Sequence, residues 1–132
     1  MKRLVAAIFI VACAYFSLAT APGTRAASPQ RESAEVEFTQ NVKLQGVILR
    51  GSYIFVHDEE RMARGEACSW VYRNKHGKEG AVVASFHCQH TENAKAKAFT
   101  IRLKKNNTPY EVPELLEFQF AGSTAGHRVP GV

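Results

Sequence analysis

From Glu35 onward the chain alternates apolar and polar positions with a period of two rather than 3.6, the signature of half-buried strands. Val36 and Phe38 in EVEFT share a face, as do Val42, Leu44 and Ile48 in NVKLQGVIL, where Gly46 reads as an interior position. RGS at 50–52 reads as a turn, and YIFVH at 53–57 as a strand buried on both sides. HDEERMARGEAC breaks the alternation. Asp58 suits the cap of a single helical turn, Glu59 and Glu60 its first positions, and Gly65 its end. CSWVYRN and AVVASFHC then predict the clearest hairpin. Cys68, Trp70 and Tyr72 share one face of the first strand, and Val82, Ala84, Phe86 and Cys88 the core face of the second, with KHGKEG as the loop between. AFTIRLKK points Phe99, Ile101 and Leu103 inward, and LLEFQF points Leu116, Phe118 and Phe120 inward. The tail AGSTAGHRVPGV carries no helix signal. With no amphipathic helix of ordinary length and about seven short strands, the pattern predicts an all-β fold, a small antiparallel sandwich or barrel.

The N-terminus is of a different kind. Lys2 and Arg3 precede an apolar or small stretch from Leu4 to Ala21, and small residues follow. Residues 1–27 therefore read as a secretory signal peptide, cut after Ala21, Ala26 or Ala27. Two alternatives use the same stretch: an uncleaved membrane anchor, and a lipoprotein in which Cys13 of IVAC is lipidated and becomes the mature N-terminus. Residues 28–34, rich in Ser, Pro and charge, read as a disordered leader, and 35–132 as one β domain, to which a chain of 132 residues is suited. The expected location is the periplasm or the extracellular space, with no transmembrane segment after cleavage.

Export changes the charge. The whole chain has 17 basic and 12 acidic residues, but Lys2, Arg3 and Arg25 leave with the signal, so 14 basic residues face the same 12 acidic ones. That small excess is no footprint for nucleic acid, and no nucleic-acid partner is expected.

Export also changes the cysteines. Without Cys13, Cys68 and Cys88 remain, an even pair in an oxidising compartment, and both fall on core faces of neighbouring strands. A disulfide is the expectation, with no cofactor. The alternative is a metal site. His90 shares the face of Cys88 and His57 ends an earlier strand, so His57, Cys68, Cys88 and His90 make a set suited to zinc, or to copper with Met62 as a further ligand. A third reading, Cys88 as a catalytic thiol beside histidine, lacks any visible orienting group.

The remaining candidates are milder. Tyr53, Trp70 and Tyr72 can form an aromatic face for sugars or peptides, though in a small β domain such residues more often fill the core. Arg102 and Lys104 in KAKAFTIRLKK can meet an anionic glycan or envelope partner, or simply solvate a strand face. No phosphate loop, dinucleotide fingerprint or nucleophile elbow occurs, so the expectation leans away from an enzyme.

The segment FTQNVKLQGVILRGSYIF, with Gly51-Ser52-Tyr53, and the later strand LLEFQF resemble a loose group of small, uncharacterised, exported bacterial proteins. The resemblance spans Phe38 to Phe120 and implies an exported all-β protein, with no activity attached. The reading that follows is a non-catalytic structural or binding module, with a zinc- or copper-binding protein as its alternative.

Overall fold

A computed structural model describes residues 30–132. The expected signal peptide, Cys13 and residues 28 and 29 of the expected leader lie outside this range. Among the described residues the chain is an antiparallel β sandwich of two four-stranded sheets, and no helix is long and apolar enough to cross a membrane. The first sheet is a meander of β1 (Arg31–Leu44), β2 (Val47–Asp58), β3 (Ser69–Lys75) and β4 (Lys78–Phe86). The second contains β5 (Gln89–Glu92), β6 (Thr100–Leu103), β7 (Leu115–Gln119) and β8 (Ala125–Arg128), in the spatial order β5-β8-β7-β6.

Strand β1 begins at Arg31, so residues 31–34 of the expected disordered leader are paired chain. Glu32 lies opposite His57 and Ala34 opposite Phe55. β2 is long and already ordered, and its backbone donors and acceptors need a partner. The two-residue hairpin turns also differ from expectation. Gln45 and Gly46 have φ of 45° and 82°, and His76 and Gly77 have 55° and 77°. Both pairs thus have the two positive φ values that match the right-handed twist of a tight hairpin. The turn at Gln45–Gly46 divides the segment read as one strand. The RGS segment lies inside β2 beside a register shift between Phe38 and Val42.

The core lies between the sheets. Phe38, Tyr53, Phe55, Val71 and Phe86 from the first sheet meet Leu115, Phe118, Phe120 and Val129 from the second. Phe55 and Phe118 meet edge to face at 5.3 Å, a favoured aromatic geometry. A smaller cluster of Ile54, Val56 and Tyr72, flanked by Trp70, covers the outer face of β2 and β3. YIFVH is therefore buried on both sides, as its composition predicts. Trp70 and Tyr72 do not join the main core: Val71, between them, does. Helix α1 (Glu59–Ala63) follows β2 and is capped by Asp58, which accepts from the backbone N–H groups of Glu60 and Arg61 at 3.0 and 3.2 Å. Arg61 sits 4.3 Å above the Trp70 ring and donates to the Tyr72 hydroxyl at 3.1 Å.

Candidate metal centre

At one end of the sandwich the two sheets bring together a group that alternation alone did not reveal. His57 is near the end of β2, opposite Glu32 on β1. His90 on β5 lies directly opposite His127 on β8. Cys88 sits in the two-residue link that carries the chain from β4 to β5, and Cys68 immediately precedes β3. One ligating atom from each of His57, Cys88, His90 and His127 lies within 4.8 Å of the others. Cys88 Sγ is 3.5 Å from His127 Nδ1 and 4.0 Å from His90 Nε2. The ring centroids of His57 and His127 are 4.2 Å apart, and those of His90 and His127 5.1 Å apart.

The burial of this group is unusual for its chemistry. His57 is 2% exposed and His127 1%, yet both ring nitrogens of His57 and Nε2 of His127 have no hydrogen-bond partner. A buried polar atom without a partner costs about 1–3 kcal/mol, and such groups are rare in folded proteins. Two such buried imidazoles, packed against each other beside a cysteine, are the arrangement expected of side chains that share a cation. A thiolate and three imidazoles are also an ordinary donor set for zinc or copper. Glu32 Oε2 stands 4.0 Å from both His57 Nδ1 and His127 Nε2. A carboxylate in that position can orient ligating imidazoles through their second nitrogen.

The two sulfurs are 2.9 Å apart, and one thiol donates to the other. The backbone N–H of Cys88 also donates to Cys68 Sγ, at 3.2 Å. The hydrogen bond from Cys88 holds the Cys68 thiol below its ordinary range despite burial. The same hydrogen bond, then burial, pushes the Cys88 thiol up. The pair thus carries its first negative charge more readily than a free thiol does, and its second less readily.

Burial above all, and then the charges of His57 and His90, press His127 down to about 3. Its unfolded value is near 6.5, so between about pH 6.5 and 3 the unfolded chain binds the extra proton. The metal-free protein should therefore lose stability as pH falls through that window, by up to ~1.4 kcal/mol per pH unit from this residue. Urea unfolding of the reduced, metal-free chain at pH 7.5 and pH 5 measures it. A lower midpoint at pH 5 that His127→Gln abolishes is expected, and equal midpoints would exclude it.

β8 is held in place by a polar clamp behind His127. Buried Glu117 accepts from Thr91 Oγ1 at 2.8 Å and from Asn93 Nδ2 at 2.8 Å, and pairs with Arg102 at 3.2 Å. A Cβ at Gly126 would lie 2.3 Å from both Asn93 Nδ2 and Thr91 Oγ1 and 2.7 Å from Glu117 Oε1. Gly126→Ala should cost about 1–3 kcal/mol by overpacking this clamp, read as a loss of thermal midpoint, and an unchanged midpoint would mean that the clamp yields freely.

Three of the four residues expected to ligate, His57, Cys88 and His90, are in the group, and Cys68 adjoins it through Cys88. His127 is the residue that the sequence reading missed. Its signal was the short alternation of Ala125, His127 and Val129 in a tail read only as lacking a helix signal. Met62, offered as a copper ligand, is on α1 and is 41% exposed. The expected binding residues are dispersed. Tyr53 is buried in the main core, with its hydroxyl donating to the Arg50 carbonyl at 3.1 Å. Trp70 and Tyr72 are stacked under Arg61. Arg102 is engaged by Glu117, and Lys104 lines a shallow surface cavity with Lys43 and Glu114. Comparisons with protein-family models, curated proteins and solved structures return no match, so the reading of this group rests on its own geometry.

Proposed function

We propose that this chain is an exported β-sandwich protein that binds one zinc or copper ion through Cys88, His57, His90 and His127, with Glu32 orienting two of the imidazoles. The observation that supports this most strongly is the packing of two buried histidines with unpartnered ring nitrogens, His57 and His127, against His90 and the Cys88 sulfur. The charged N-terminal start, apolar run and small-residue cut sites support export. A β sandwich suits such a role because a ligand set drawn from three strands and a link is positioned by the packing of two sheets. The test is equilibrium dialysis of the reduced protein against zinc, and separately against cuprous ion. One equivalent retained by the wild type, and lost in a His57→Ala variant that remains folded, is the expected result. Retention of no more metal than the variant holds would remove this reading.

The 2.9 Å separation of the sulfurs favours a second reading, a disulfide-stapled structural or binding module with an envelope or glycan partner. In that case the purified protein would lack two hydrogens, take up no thiol label after denaturation, and hold no metal before or after reduction.

A further inference from the structure

We propose that the Cys68–Cys88 pair is a thiol-modification site that gates the metal group: reduced, Cys88 supplies a ligand, and oxidised, it is withdrawn into a disulfide. This rests on the metal-binding reading above.

The geometry places one sulfur in two competing relationships. Cys88 Sγ is 3.5 Å from His127 Nδ1 and 2.9 Å from Cys68 Sγ. A metal thiolate and a half-cystine cannot be the same sulfur at once. The two cysteines also differ in access. Cys68 is 1% exposed. Cys88 is partly exposed, in a link whose neighbours His87 and Gln89 are exposed. A low-molecular-weight disulfide therefore meets Cys88 first.

The reaction balances as two thiol–disulfide exchanges. The thiol pair loses one proton, the hydrogen that remains passes to Cys68, and the more accessible Cys88 thiolate attacks a sulfur of the small disulfide RSSR. That S–S bond breaks, a mixed disulfide forms on Cys88, and one RS⁻ leaves. The Cys68 thiol then loses its proton, its thiolate attacks the Cys88 sulfur, and the second RS⁻ leaves. The two protons end on the two RS⁻ groups. Both cysteines are oxidised, RSSR is reduced to two RSH, and no other oxidant enters. The product ties the crossover between the sheets to the start of β3 and leaves three imidazoles without their sulfur partner.

Metal and oxidation then protect against each other. A zinc-loaded chain should react more slowly with oxidised glutathione, and the oxidised chain should bind zinc more weakly. Loss of a partner outside the ligand set commonly costs 10–100-fold in affinity, so loss of the sulfur ligand should cost at least about 100-fold.

The experiment measures zinc affinity of the full chain in three forms: reduced, treated with oxidised glutathione and freed of excess oxidant, and reduced Cys68→Ser. Intact mass is recorded for each. The treated wild type should be two hydrogens lighter, bind zinc at least about 100-fold more weakly, and recover with a thiol reductant. Reduced Cys68→Ser should stay within about tenfold of reduced wild type, because Cys88 remains free to ligate. If the disulfide form binds as tightly as the reduced form, the gate is wrong and the metal reading stands. If glutathione remains on Cys88 with no loss of two hydrogens, Cys68 is not the resolving thiol and the gate is again wrong. If Cys68→Ser loses as much affinity as the oxidised chain, the assignment of Cys88 as the switched ligand fails. If no form binds zinc, the metal reading itself has failed.

Discussion

Replacing His127 by alanine should lower zinc affinity at least about 100-fold, with the sandwich still folded. The imidazole contributes Nδ1 at 3.5 Å from Cys88 Sγ and packs against the rings of both His57 and His90. Its removal takes one donor from a set of four and leaves the other three around a gap. Outer partners alone are worth 10–100-fold, and a direct ligand should exceed them. The metal-free stability should move less, because two effects oppose. The variant loses the stacking of His127 on Phe118 at 5.1 Å, and it also removes a buried Nε2 that has no partner. His87→Ala is the control. His87 precedes Cys88, is exposed and is outside the group, so its loss should leave affinity unchanged. Calorimetric zinc titration of both variants decides between them, and equal effects would show that histidine content, not geometry, governs binding.

Replacing Phe118 by alanine should be the most destabilising single core change, at about 3–5 kcal/mol. Phe118 is 1% exposed and is the hub of the aromatic core. It touches Phe55, Phe86, Phe99 and Phe120 at centroid distances of 5.3 to 6.3 Å. Deleting the ring removes buried apolar surface and leaves a cavity that two packed sheets cannot close. A domain of this size has about 5–15 kcal/mol in total, so the variant stands near the limit of folding. The same ring supports His127, and metal binding should weaken with stability. Denaturant unfolding measures the cost, with Val82→Ala, half exposed on β4, as a surface reference expected within about 0.5 kcal/mol. A Phe118→Ala cost as small as that of Val82→Ala would mean that the sheets do not pack through this ring.

The fold was legible where one face of a strand is apolar and the other polar. Phe99, Ile101, Phe118 and Phe120 alternate and lie where that alternation puts them, against the core. It was misleading where both faces carry large apolar residues. Trp70 and Tyr72 match the core in composition but belong to the outer cluster, because Val71 faces inward and Arg61 covers the other side. Parity assigns residues to two faces but does not say which face meets the second sheet. The turn at Gln45–Gly46 was hidden because apolar alternation continues across it from Leu44 to Ile48, although the turn leaves Ile48 exposed and buries Leu49. The site was half legible. Cys88 and His90 are neighbours in sequence, and His57 ends a strand that is plainly buried. His127 is 37 residues beyond His90 in sequence and joins it only through the β5–β8 pairing, in which a late, glycine-containing strand returns beside an early one. Non-local pairing of this kind leaves no spacing motif to read.

The most direct measurement is a cobalt(II) titration of the reduced chain, followed by electronic absorption, with Cys88→Ser alongside. Cobalt takes the same nitrogen and sulfur donors as zinc and reports its ligands optically. A thiolate-to-cobalt charge-transfer band that saturates at one equivalent, together with visible bands of four-coordinate intensity, is the result predicted here, and the charge-transfer band should vanish in Cys88→Ser. A spectrum no different from that of hexaaqua cobalt, at every ratio of metal to reduced protein, would contradict the assignment of His57, Cys88, His90 and His127 as a metal site.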